Sequence, residues 1–192
     1  CDYSAKDFDD LRYDALYNVL MEGKTSIVAF LVSKRNKLGH KYIVPFLYLR
    51  ARNTDREIVD LLSLKTRCSL LTDKGCPYDI NDRPSGGVNL IPDKNGCHPL
   101  ENPLDIVMTW KNYQKVLSKL VKRITGLTVE KQLESDIEKL FNDILTDNYE
   151  NVTNREKHEI APLVKELACI YPETLHRTIS KKQNNELKLK MK

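Results

Sequence analysis

Five basic side chains, Lys34, Arg35, Lys37, His40 and Lys41, crowd around Asn36 and Gly39. Asn and Gly are turn formers, so the group places dense positive charge on one loop tip, which is chemistry suited to phosphate oxygens. A second set follows at a two-residue step. Tyr42, Val44, Phe46, Tyr48, Arg50 and Arg52 fall on one face of an extended segment, with Ile43, Pro45, Leu47 and Leu49 on the other. An aromatic face ending in two arginines can stack on unpaired bases, as in single-strand and RNA binders. Packed on other protein, the same stripe is a second hydrophobic layer, and both alternatives stand. The tail contributes Lys181, Lys182, Lys188, Lys190 and Lys192. Cys68, Cys76, Cys97 and His98 offer four donors of the sulfur and nitrogen type that zinc takes, without the CxxC spacing of a zinc site; ordinary reduced thiols are the alternative. Gly86-Gly87 is no phosphate loop, because no Lys-Ser/Thr follows and no helix is expected there.

These groups must be held by secondary structure that the periodicity predicts. Leu11, Ala15, Leu16, Val19 and Leu20 recur at helical steps up to Gly23, giving an amphipathic helix after the Asp-rich residues 1–10, where Ser4 and Asp7 can cap it. Ile27–Val32 and Tyr42–Leu49 are β-branched and aromatic runs, and the basic turn joins them as a hairpin. The first run lacks polar alternation, so both of its faces are expected to be covered. Thr54 with Glu57 reads as a capping box opening a helix to Lys65, and Arg67–Thr72 as a third strand. A Pro- and Asn-rich insertion, 73–104, precedes a fourth strand at Asp105–Thr109. Helices are expected at Trp110–Ile124, Glu130–Leu145 and Thr153–Cys169, the last kinked or restarted at Pro162. Lys111, Lys115, Lys119, Lys122 and Arg123 line the outer side of the first of these, ambiguous between solvation and phosphate contact. From Pro172 the apolar pattern fades, and the tail is expected to be unfolded alone, ordering only against an opposite charge.

The order helix, acidic residue plus glycine, hydrophobic strand, Lys-rich turn with Leu38-Gly39, and a second strand containing Val44, Pro45 and Phe46 resembles the start of a LAGLIDADG homing-endonuclease module. Asn53-Thr54-Asp55 with Arg56–Lys65 is similar to the helix after strand two, and Tyr149–Leu167 to the extra C-terminal helices. The resemblance implies an α+β fold: an αββαββα module over 1–126 with a four-stranded, mainly antiparallel sheet, a helical extension over 127–171 and a basic tail over 172–192. It also implies that Glu22 stands at the metal-holding carboxylate, with magnesium as cofactor only if the protein is an active nuclease. Where the family has small residues so that two motif helices can touch, this chain has Tyr17 and Met21. One motif copy is present, so cleavage by two metal ions would require a homodimer.

Composition sets the outer bounds. The 192 residues suit one domain with a sizeable core, 41% are apolar and 30% charged, and the net charge of +4 is mildly basic. No apolar run reaches the roughly 18–20 residues that cross a bilayer, so no membrane partner is expected. Five cysteines form no regular disulfide framework, which favours a reducing compartment. The sequence starts at Cys1 rather than Met, as a processed, truncated or partial chain would, and a removed transit peptide is one explanation.

Together these observations lead to a non-catalytic RNA-binding protein descended from a LAGLIDADG nuclease. Its expected setting is an organellar ribonucleoprotein in the mitochondrial matrix, such as the mitochondrial ribosome, with structured RNA and neighbouring proteins as partners. The alternatives are an active homodimeric DNA endonuclease or intron maturase, and a protein-binding subunit. The RNA contacts expected are Lys34, Arg35, Lys37, His40, Lys41, Tyr48, Arg50, Arg52 and the five tail lysines.

Overall fold

The computed structural model describes residues 1–53, 57–63, 70, 72–88, 90–93, 96–99, 103–146 and 154–190. It is a mixed α+β structure. Helix α1 (Tyr13–Met21) leads into strands β1 (Thr25–Arg35) and β2 (Lys41–Ala51). There follow α2 (Ser85–Val88), β3 (Leu90–Asp93), β4 (Gly96–Pro99), α3 (Pro103–Met108), α4 (Gln114–Thr125), α5 (Val129–Thr146), α6 (Asn154–Ile170) and α7 (Pro172–Lys190). The chain divides into two compact units: residues 1–32 with 45–132, and residues 33–44 with 133–192.

In the first unit β1 pairs with β2. Beyond β1, the amide of Ile27 donates to Ile58 O (2.8 Å) and that of Asp60 to Ile27 O (3.0 Å), making a parallel bridge between Ile27 and Val59. Beyond β2, Tyr3 N–H donates to Leu49 O (2.9 Å) and Ala51 N–H to Cys1 O (2.8 Å). The expected four-stranded antiparallel sheet is therefore not what the described residues form. The main sheet has two strands with bridge-length segments along its edges, and β3 and β4 make a separate antiparallel pair.

Three local expectations change with it. The described residues 57–63 are extended and bent rather than helical, because their backbone groups bond to β1 instead of to each other. Asp105–Thr109 lies mostly in α3 and not in a strand, which lets Val107 bury beside the fully buried Trp110. β1 is covered on both faces only as far as Ala29; Phe30 is 43% exposed. Thr54, Arg56 and most of Arg67–Thr72 lie outside the described residues.

The core of this unit includes Leu16, Leu20, Ile27, Leu47, Leu49, Leu61, Trp110, Leu117 and Leu120. The indole N–H of Trp110 donates to Tyr3 O (2.7 Å), so its burial leaves no donor unmet. Gln114 fixes α4 to the sheet: its amide donates to Leu47 O (2.7 Å) and accepts from Leu47 N–H (2.8 Å).

In the second unit Leu133, Ile137, Leu140 and Phe141 of α5 are buried, with Ile160 and Leu167 of α6. Pro162 neither restarts nor ends α6, which runs through it. The tail is helical as α7, not unfolded. Arg177 pairs with Glu134 and Lys181 with Glu138 of α5, while Thr174 and Thr178 are buried, so the partner of opposite charge lies within the chain.

Candidate nucleic-acid interface

The basic turn is a built structure. Asn36 accepts on its side-chain oxygen from the amides of Leu38 (2.9 Å) and His40 (3.0 Å), and its own amide donates to His40 O (2.9 Å). Gly39 takes a φ of 81° and donates to Asn36 O (3.0 Å), a backbone conformation that a side chain would strain. Arg35 donates from Nη1 to Gly39 O (3.0 Å) and closes the loop on itself.

Around this frame Lys34, Arg35, Lys37, His40 and Lys41 are all exposed, and Leu38 at the apex is 79% exposed. Among the described residues the first four meet no carboxylate, while Lys41 lies 3.6 Å from Glu166 of α6. Three cations and an imidazole held on a short hydrogen-bonded turn, with no carboxylate partner among the described residues, form a surface suited to an anion. Asn36 and Gly39 were legible in the sequence as turn formers; Leu38 as the apex and Glu166 as a partner were not.

The rest of strand two is used differently. Tyr48 is 5% exposed, which excludes it as a stacking platform in this conformation. Burial pushes its phenol up to about 12. Arg50 donates from Nε to Asp2 (2.6 Å), from Nη1 to Ser63 Oγ (2.7 Å) and from Nη2 to the Tyr48 hydroxyl (2.8 Å). Burial opposes its charge, but Asp2 and the other contacts raise its pKa on balance. Arg52 is buried and donates to Asp60 (2.7 Å). Tyr48, Arg50 and Arg52 thus belong to an internal network that ties β2 to residue 2 and to residues 60–63. Sequence reasoning missed Asp2 and Asp60, whose roles depend on contacts across the sheet.

Of the tail lysines, Lys181 pairs with Glu138, Lys182 donates to Leu145 O, and Lys188 is exposed. Nothing is described of the Lys190 side chain, and Lys192 lies outside the described residues.

Glu22 is the exposed C-cap of α1, followed by Gly23 at a φ of 80°. Magnesium takes several oxygen ligands, and among the described residues no group of three His, Cys, Asp or Glu gathers to hold a metal. On the same helix the ring of Tyr17 lies under the guanidinium of Arg123 from α4, at 3.6 Å. Cys76 is partly exposed; Cys68 and the side chains of Cys97 and His98 lie outside the described residues.

Gly86 and Gly87 serve close approach. A Cβ on Gly86 would stand 2.5 Å from Asp2 O, and one on Gly87 2.7 Å from Cys1 Sγ. No helix among the described residues is long and apolar enough to cross a membrane. Comparison with protein-family models, with curated proteins and with solved structures finds no match for this chain.

Proposed function

We propose that this protein is a non-catalytic RNA-binding component of a ribonucleoprotein, of the organellar kind exemplified by the mitochondrial ribosome, on a scaffold descended from a LAGLIDADG nuclease module. The observation that supports it is the 34–41 turn, where Lys34, Arg35, Lys37 and His40 are exposed on a hydrogen-bonded frame without carboxylate partners among the described residues. A turn already ordered loses little conformational freedom on binding, so its charges act with little ordering cost. Leu38 adds an apolar point at the apex that can press on a base or ribose. A cleavage role finds less support, because Arg123 sits on Tyr17 where a dimer partner would pack.

Affinity for a structured RNA, measured over a salt series, tests the proposal. Each lost phosphate contact lowers the slope by about 0.7–0.9, so Lys34→Gln, Arg35→Gln and Lys37→Gln together are expected to lower it by about two to three. Unchanged affinity and slope would make the turn solvated surface and bring the protein-binding subunit forward. Incubation with duplex DNA and magnesium is expected to give no cleavage; specific nicking that Glu22→Gln removes would restore the nuclease.

A further inference from the structure

The charged side chains of α4 are all of one sign. Residues 111–125, KNYQKVLSKLVKRIT, contain no acidic side chain, whereas α5 mixes Glu130, Glu134, Asp136, Glu138 and Asp143 with Lys131 and Lys139. The orientation of α4 is fixed, because Leu117, Leu120 and Val121 are fully buried and Gln114 is bonded to Leu47. Lys115, Lys119 and Lys122 therefore share one exposed arc of about 60°, about 10 Å long, with exposed Lys111 leading into it from the preceding turn. Among the described residues none of these four lysines meets a carboxylate. The nearby Asp14 lies 3.9 Å from Arg123 instead.

Such a stripe is unfavourable in the folded protein alone. Like charges at three- and four-residue spacing repel, and Lys115 stands in the first turn, where the helix dipole disfavours a cation. A membrane surface is a poor match, because the apolar residues of α4 that would enter it are already buried.

We infer that Lys111, Lys115, Lys119 and Lys122 form a second contact for the phosphodiester backbone of RNA, separate from the basic turn. The inference rests on the RNA-binding function proposed above. Four lysines can neutralise at most about four phosphates, one each. Lysines act there as point charges, so the contact adds affinity and no base preference.

The full chain carrying Lys111→Gln, Lys115→Gln, Lys119→Gln and Lys122→Gln tests this, beside the triple Gln variant of the turn, with a generic RNA duplex, anionic phospholipid vesicles and polyglutamate as probes. The expected result is a fall of about three in the salt slope for the duplex, equal for unrelated sequences, with urea stability unchanged or raised as repulsion is relieved. If the α4 variant binds RNA as the wild type does while the turn variant is weakened, the second contact is overturned and the proposed function stands. If neither variant changes RNA binding, both fall. Loss confined to vesicles or to polyglutamate assigns the stripe to another partner and overturns the inference.

Discussion

The guanidinium carbon of Arg123 lies 3.6 Å from the centroid of the Tyr17 ring and 5.5 Å from that of Tyr13, one helical turn away. One arginine of α4 thus covers two aromatic residues of α1. The contact makes this face of α1 an intramolecular surface. Planar guanidinium stacking favours Arg over Lys here.

Because the Arg123 side chain is 43% exposed, its stacking is worth little in isolation. Arg123→Ala is expected to cost about 0.5–1 kcal/mol in urea unfolding, with Arg123→Lys recovering only part of it. A loss below the error of measurement for Ala would show that the stack is incidental to stability.

Tyr48 makes stability depend on alkaline pH. Burial raises its folded pKa to about 12, above the ordinary phenol value of about 10, so the neutral phenol is favoured by folding. The sign follows from linkage: this contribution is complete below pH 10 and is lost as pH rises through about 12, because only the unfolded chain releases the proton readily. Wild-type unfolding free energy is expected to fall by on the order of 1–2 kcal/mol across that window. Tyr48→Phe should flatten the fall, at the expense of about 1 kcal/mol at neutral pH for the lost bond from Arg50. Urea titrations at several pH values between 9 and 12 would separate the two effects.

Gly86→Ala is expected to destabilise the first unit by about 1–3 kcal/mol, since the new methyl would meet the backbone oxygen of Asp2 at 2.5 Å and no flexible side chain can yield. Gly75→Ala is the contrasting case: its Cβ meets nothing within 4 Å, but its φ is 99°, so the cost is backbone strain of about 1 kcal/mol. Thermal melting of the two variants, with Asp2 amide exchange in each, would distinguish displacement of the N-terminal segment from local strain.

Deleting residues 172–192 is expected to do more than lower RNA affinity. It removes the Arg177–Glu134 and Lys181–Glu138 pairs and the helix that buries Thr174 and Thr178. Hydrogen exchange of the α5 amides should accelerate on the order of tenfold, or about 1.4 kcal/mol of local opening. Unchanged α5 protection, together with a uniform drop in RNA affinity, would return the segment to the role of a flexible basic arm.

The residues that declared themselves in sequence were those whose structure is local. The helical period of Leu16 and Leu20, the apolar runs of β1 and β2, and Asn36 with Gly39 between them specify a helix and a hairpin through backbone bonds near in sequence. The exposed cations of the turn were legible for the same reason, because a tight turn leaves side chains nowhere to go but outward. What reads as one pattern in sequence divided in space. Tyr48, Arg50 and Arg52 have the spacing of an open face, yet Asp2, 48 residues from Arg50, and Asp60 draw the arginines inward. The tail looked too polar to fold because its counter-charges, Glu134 and Glu138, are 43 residues away on α5. Residues 57–62 follow a capping-box pattern, Thr54 with Glu57, and have a helical period, but β1 claimed the backbone groups of Ile58, Asp60 and Leu61. Partners distant in the chain satisfy buried charges and sheet edges, and such pairings leave no periodic trace in the residues that make them.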